Sequence, residues 1–230
     1  MSFLRRLFSG TSENESDDPV AQFNRGVDFA TGRGVPQNYQ KAFVHYLAAA
    51  NMGQREAQSN LGVMYSNGQG VEQDYAKAAE WFLKAALQGV DDAQYDLGLF
   101  YASAKGVAQD YSMSLKWSLA AAKQGHAGAK NTVGIIFLNG FGVAKDTAEA
   151  LKWISEAAEA GYPAAQCNLG RMFLKGDGMI PDRVEALKWL LLAAPLVPEA
   201  ATEAEMLIAD MDHAQVSESR RRVASFMMNR

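Results

Sequence analysis

The chain has 230 residues, 48% of them hydrophobic, and a formal net charge of −4. That acidic balance argues against non-specific nucleic-acid binding, which needs a basic surface. A single cysteine, Cys167, excludes an intramolecular disulfide framework, and no apolar run approaches the roughly 20 residues that span a bilayer as a helix.

Residues 1–20 read as a segment apart from the fold. Met1 to Phe8 has the pattern of a short amphipathic helix, with Phe3, Leu4, Leu7 and Phe8 on one side and Arg5 and Arg6 on the other. Its functional reading is a weak membrane or partner anchor. Two turns are too short to bind strongly alone, so a frayed terminus is the plainer reading. It does not read as a signal peptide, because the arginines interrupt the apolar stretch and no cleavage region follows. Ser9 to Asp18 is polar and acidic and reads as a disordered linker.

From Ala21 the sequence repeats. Gly26, Gly62, Gly98, Gly134 and Gly170 keep a step of 36 residues (62 − 26 = 36), as do Gly34, Gly70, Gly106, Gly142 and Gly178. A period between 20 and 50 residues marks a solenoid, propeller or array. The units are 21–56, 57–92, 93–128, 129–164 and 165–200. Each reads as two helices. In the second unit Ala57, Leu61, Gly62 and Tyr65 share one helical face. Gly68 and Gly70 break the helix, and Val71 plugs the turn into the core. Asp74 caps the second helix. Ala78, Trp81, Phe82, Ala85 and Ala86 form its buried stripe, and Gly89 ends it. Gly62 and the alanine pair let the helices approach closely.

The first unit departs from the pattern: His45 stands where the others have tryptophan, at a packing position. In the third, Ala104 replaces the first loop glycine, which predicts a slightly longer first helix. The fourth has Thr147 in place of tyrosine. After the fifth, Pro195 and Pro198 stop the regular array. Residues 201–230 read as capping helices: Ala201 to His213 closes the last repeat, and Ala214 to Arg230 forms an amphipathic cap whose outer face carries Arg220, Arg221 and Arg222.

The pattern A-x-x-x-L-G-x-x-Y-x-x-G-x-G-V, followed by D-Y-x-K-A-x-x-W-x-x-K-A-A-x-x-G, resembles the Sel-one-like repeat, a close relative of the tetratricopeptide repeat, over roughly Ala21 to Ala200. The resemblance implies an all-α fold, a right-handed α-solenoid of five 36-residue helix-turn-helix repeats with a concave face. It also implies a scaffold or adaptor that binds other proteins. The secreted branch of that family carries paired cysteines, which this chain lacks, so a cytoplasmic location fits best.

Binding residues are sought among positions that do not serve the repeat itself. Numbering each unit from its first alanine, positions one, five, six and nine cluster toward the core on a wheel of about 100° per residue, and three, seven, ten and eleven point away. Resemblance to tetratricopeptide arrays places that second stripe in the concave groove. Tyr95, Leu99, Ile135 and Leu138 are its apolar anchors, with Val63 beside them. Asn67 and Asn139 are placed to hydrogen-bond a peptide, and Arg171 and Lys175 to meet an acidic group. Ser103 and Asn131 complete the stripe. The alternative is that the stripe packs against the chain's own ends or against a second copy.

Catalysis has little support. His45, His126 and His213 fall in different units without ligand spacing. No histidine is placed to activate Cys167, and the G-x-G-V elements join two helices rather than a strand and a helix. No metal or cofactor is implied. The expected function is capture of a protein or peptide in the groove, compatible with assembly of a signalling, secretion or envelope complex. The alternatives are a hydrolase using Cys167 and a membrane-recruited adaptor using residues 1–8. The sequence leaves the partner and the oligomeric state open.

Overall fold

The computed structural model describes residues 18–229. Among these residues there are twelve α-helices and no strand. The first repeat supplies α1 (Pro19–Thr31) and α2 (Tyr39–Asn51), the second α3 (Arg55–Asn67) and α4 (Tyr75–Leu87), the third α5 (Asp91–Ser103) and α6 (Tyr111–Lys123). The fourth supplies α7 (Ala127–Asn139) and α8 (Thr147–Glu159), and the fifth α9 (Pro163–Lys175) and α10 (Arg183–Ala193). Two further helices follow, α11 (Pro198–Ala209) and α12 (His213–Met228). The chain divides into two compact units, the first ending at Asp110 and the second starting at Tyr111.

Local chemistry sets the helix ends. Asp74 accepts a hydrogen bond from the Lys77 amide at 3.0 Å and so starts α4; Asp146 does the same for α8 through the Glu149 amide, at 2.9 Å. The first helices of repeats two to five stop on a left-handed residue. In the third repeat that residue is Ala104, with φ +56°. The expected lengthening of α5 therefore does not occur: α5 has 13 residues, as α3 does, and the alanine takes up the strained conformation instead. The closure of the turn, with the Lys105 amide donating to the Phe100 carbonyl at 3.1 Å, holds it there.

The pairing within a repeat depends on position six. A Cβ on Gly62 would lie 2.5 Å from the ring of Phe82, so the bare backbone of α3 is what lets this ring seat. The same relation holds between Gly26 and Tyr46, Gly134 and Ile154, and Gly170 and Leu190. Phe82, rather than Trp81, is thus the aromatic core residue of α4. Trp81 is only half-buried, with the Lys84 ammonium 3.7 Å from its ring centroid. Trp117 and Trp189 are buried. Along the first helices, position eight (Met64, Phe100, Ile136, Met172) is buried, while position nine (Tyr65, Tyr101, Phe137, Phe173) is half-buried. The geometry of the wheel explains this correction: position eight lies only about 20° from position one, and position nine about 80° away.

Successive repeats are joined by two devices. In the first unit the turn of the second repeat presses onto the start of α2, where Gly70, at φ +71°, lies so close to the Tyr39 carbonyl that a Cβ has no room. The second device is a buried glutamine at position two. Gln58 Nε2 donates to the Ala50 carbonyl at 3.2 Å, Gln94 to that of Ala86 at 3.1 Å, and Gln166 to that of Ala158 at 3.3 Å. Each bond satisfies a carbonyl at the end of the preceding helix. In the fourth repeat Lys130 takes the position and pairs with Glu156 at 2.8 Å.

In the second unit Pro198 is the first residue of α11, where a missing N–H costs nothing. The helix thus begins at Pro198 rather than at the expected Ala201. Helix α10 packs against both α11 and α12. Along α12, Ser219 Oγ donates to the Val184 carbonyl at 2.9 Å, Arg222 pairs with Glu185 at 2.6 Å, and Phe226 meets Trp189 edge-on. Arg221 is also paired, with Glu218 at 2.7 Å, so two of the three arginines expected on a basic outer face are neutralised locally.

Two stability measurements follow from these contacts. Gly62→Val lowers thermal stability by about 1–3 kcal/mol through overpacking against Phe82; an unchanged melting temperature contradicts the close approach. Ala104→Gly raises stability by about 1 kcal/mol, because glycine enters the left-handed region without the Cβ penalty, as urea unfolding monitored by circular dichroism would detect.

Candidate functional site

The first helices place the expected binding residues as follows. In the first unit Val63 is half-buried on α3 and lines a cavity of about 120 Å³ with Tyr46, Asn60 and Met64. Tyr95 and Leu99 are half-buried on α5, one turn apart. Asn67 and Ser103 are exposed at the helix ends, and Ser103 Oγ donates back to the Leu99 carbonyl at 2.7 Å. In the second unit Ile135 is half-buried, and Asn139 is exposed with Nδ2 donating to the Ile135 carbonyl at 2.9 Å. Leu138 is half-buried and packs against the cluster built on Ala150, Ile154 and Leu169.

Two members of the stripe are engaged within the second unit itself. Asn131 is buried, and its Oδ1 accepts from Asn168 Nδ2 at 2.9 Å, which ties α7 to α9. The Arg171 guanidinium grips Glu203 of α11, with Nε 2.9 Å from Oε1 and 3.1 Å from Oε2. Helix α11 thus lies over the stripe of the fifth repeat, leaving Lys175 exposed at its edge. Cys167 is part of the same covered region, 2% exposed, in a cluster with Leu187, Leu190 and Ala200. Burial pushes its thiol pKa up, only partly opposed by Arg171. An activated nucleophile needs the opposite shift.

The electrostatics of the first unit turn on position four. In the second repeat the residue at this position, Asn60, lines a cavity together with Tyr46. One repeat later the equivalent residues are Asp96 and Phe82 (60 + 36 = 96; 46 + 36 = 82). Burial, and then the Asp92 carboxylate, push Asp96 up to about 6. His45 has a bland environment: it stacks on Phe29 at 5.5 Å, its Nδ1 is 2.7 Å from Gln22 Oε1, and burial, then Arg25 and Lys41, lower its pKa. Among the described residues no group of three or more His, Cys, Asp or Glu is placed to hold a metal ion. None of the described helices is long and apolar enough to cross a membrane. The amphipathic segment Met1–Phe8 lies outside the described residues.

The model of the Sel1 repeat matches residues 19–54, 55–90, 91–126, 129–162 and 163–194. The chain belongs to the Sel1 repeat family. Among solved structures it is similar to c5321, a protective antigen present in uropathogenic Escherichia coli strains that displays the Sel1-like repeat fold. The identity is 31% and the TM-score 0.78, over 90% of this chain and 46% of that one. This chain therefore spans about half the length of that relative. It is also similar to a Sel1 repeat protein from Oxalobacter formigenes, 30% identical with a TM-score of 0.74, over 84% of this chain and 79% of that one. A Sel1 repeat structure from Klebsiella pneumoniae, 22% identical with a TM-score of 0.53 over 87% of this chain and 98% of that one, shares the fold. No protein of curated function matches the chain in sequence.

These findings establish an all-α solenoid of five Sel1 repeats. Sel1 repeat proteins generally mediate protein–protein interaction, and their fold is typically a non-catalytic scaffold. Within that frame the sequence reading missed two features of the surface. Glu203, which engages Arg171, carries no repeat signal because α11 lies beyond the fifth Sel1 match. Asp96 did have a signal: position four reads Asn24, Asn60, Asp96, Thr132, Asn168, a polar column with one acid in it.

The raised pKa of Asp96 has a measurable sign. An acid with a folded pKa of about 6 against an ordinary value of 3.8 binds more protons when folded, so its contribution to stability falls as pH rises between those values. Asp96→Asn is more stable than wild type at pH 8, and the difference vanishes below about pH 4. Paired urea titrations at the two pH values check this; equal stability at pH 8 contradicts the burial of the charge.

Proposed function

We propose that this Sel1 repeat protein is a scaffold or adaptor that captures a peptide, helix or domain on the inner stripe of its first helices. The observation that carries the reading is position seven. Val63, Leu99 and Ile135 are apolar and only half-buried in three consecutive repeats, whereas the fifth repeat has Arg171 there, engaged by Glu203. Apolar side chains left partly exposed at a recurrent position suit a partner's side chains, which desolvate them on contact. Tyr95 and Leu138 flank them. Asn67, Ser103, Asn139 and Lys175 lie exposed at the ends of their helices and supply polar contacts that fix orientation. Asn131 and Arg171 serve by holding neighbouring helices in place. A cytoplasmic setting suits a chain whose one cysteine is a buried thiol.

Affinity capture from the native cell extract, wild type against Leu99→Glu/Ile135→Glu, tests the reading. Both chains are first shown to be equally helical. A buried carboxylate at an interface anchor weakens binding roughly thirtyfold or more, so the true partner is lost from the double variant. Identical partner lists from the two chains overturn the assignment and move the working surface elsewhere.

A further inference from the structure

In the second repeat one side chain closes the joint between neighbouring helices. Gln88, just past the end of α4, donates from Nε2 to the Gly53 carbonyl at 3.2 Å and to Gln58 Oε1 at 2.8 Å. Three repeats further on (161 − 53 = 108) the same three positions hold Gly161, Gln166 and Leu196. The surrounding frame is unchanged. Gln166 Nε2 donates to the Ala158 carbonyl at 3.3 Å, as Gln58 Nε2 does to that of Ala50 at 3.2 Å. The Leu196 amide donates to the Ala193 carbonyl at 3.0 Å, as the Gln88 amide does to that of Ala85. The leucine side chain, however, has no N–H to give. Among the described residues Gln166 Oε1 and the Gly161 carbonyl accept no hydrogen bond.

The place of the missing amide falls in a cavity of about 380 Å³, lined by Gly161, Gln166, Leu192, Leu196, Phe226 and Met227. Gln166 is only 4% exposed, and a polar group so nearly shut off from water is rarely left without a partner. Leu196 and Met227 are exposed at the rim, so a ligand can enter. In the second repeat a single nitrogen reaches both equivalent oxygens, which suits one group with two N–H bonds. A backbone amide has only one. An ammonium or guanidinium brings a charge that no carboxylate lining the cavity offsets, and the Lys188 ammonium already lies 5.5 Å from the Phe226 ring centroid. We propose that this cavity takes the side-chain carboxamide of a glutamine from a partner protein. Its NH2 bridges the Gly161 carbonyl and Gln166 Oε1, and the partner's neighbouring apolar residues cover Leu196 and Met227. The site shares no residue with the inner stripe, so its test and the capture experiment above succeed or fail independently.

The probe is the peptide N-acetyl-Leu-Gln-Leu N-methylamide, titrated into the full chain while the methionine methyl resonances are followed by NMR. The Met227 signal shifts with a Kd of about 1 mM, and that of Met64, in the first unit, stays in place. A peptide with norleucine in place of the glutamine keeps the apolar contacts but lacks the NH2, and binds about tenfold more weakly. Leu196→Gln restores the side chain that the second repeat has, engages both oxygens from within and weakens the glutamine peptide about tenfold. Leu196→Met, similar in length but without a donor, leaves its affinity unchanged. Both substitutions fall at an exposed position, and circular dichroism checks that both chains are as helical as wild type. The proposal is overturned if Met227 does not shift at about 10 mM peptide, if the norleucine peptide binds as well, or if Leu196→Gln binds as tightly as Leu196→Met.

Discussion

At Gly62 the absence of a side chain allows the Phe82 ring to rest directly on the backbone of α3. Much of the repeat depends on that contact. With the helices so close, small residues stand at Ala78, Ala85 and Ala86, all of which are buried. The bulky core residues are then displaced to positions five and eight of the first helix, Leu61 and Met64. The second helix turns its tryptophan toward the edge, where Trp81 carries the Lys84 ammonium on its face. A small residue at one point thus sets the size of its neighbours at several others, because a core at native density has no spare volume to absorb a change.

Much of this architecture was legible in the primary structure. Glycine, alanine and aromatic residues at a fixed step announce their own geometry, and the Asp74 cap follows from the chemistry of a helix start. What was not legible lies where two side chains at distant positions must be compared. Phe82 and Trp81 are neighbours in sequence, and hydrophobicity alone does not say which of them meets Gly62. The buried glutamines Gln58, Gln94 and Gln166 look like surface residues until the carbonyls they satisfy are in view. Ala104 departs from the glycine pattern, yet the backbone keeps the left-handed turn, since the surrounding hydrogen bonds outweigh a local preference. Of the proposed surface, Val63, Tyr95, Leu99, Ile135 and Leu138 are half-buried. Asn131 and Arg171 are engaged by Asn168 and Glu203, partners that periodicity within one helix cannot reveal.

The two ends of the inner stripe have different chemistry. In the fifth repeat a charged group is met by a charged group from α11, and the thiol of Cys167 is enclosed with it. In the third repeat burial and the Asp92 carboxylate hold the Asp96 carboxyl above its ordinary pKa.

The seat of Gly70 on the Tyr39 carbonyl has a consequence for how such arrays change length. Gly106 on Tyr75 and Gly178 on Thr147 show the same contact with a main-chain carbonyl. At these three joints the glycine meets main chain, which every repeat possesses, while Gly142 meets the Cβ of Tyr111 first. Duplication or loss of a whole 36-residue segment therefore recreates the same joint between new neighbours without compensating substitutions. A change of a few residues within the turn does not, since it moves the glycine off its seat. The gene of such a protein is free to grow or shrink in whole modules and is constrained against smaller insertions.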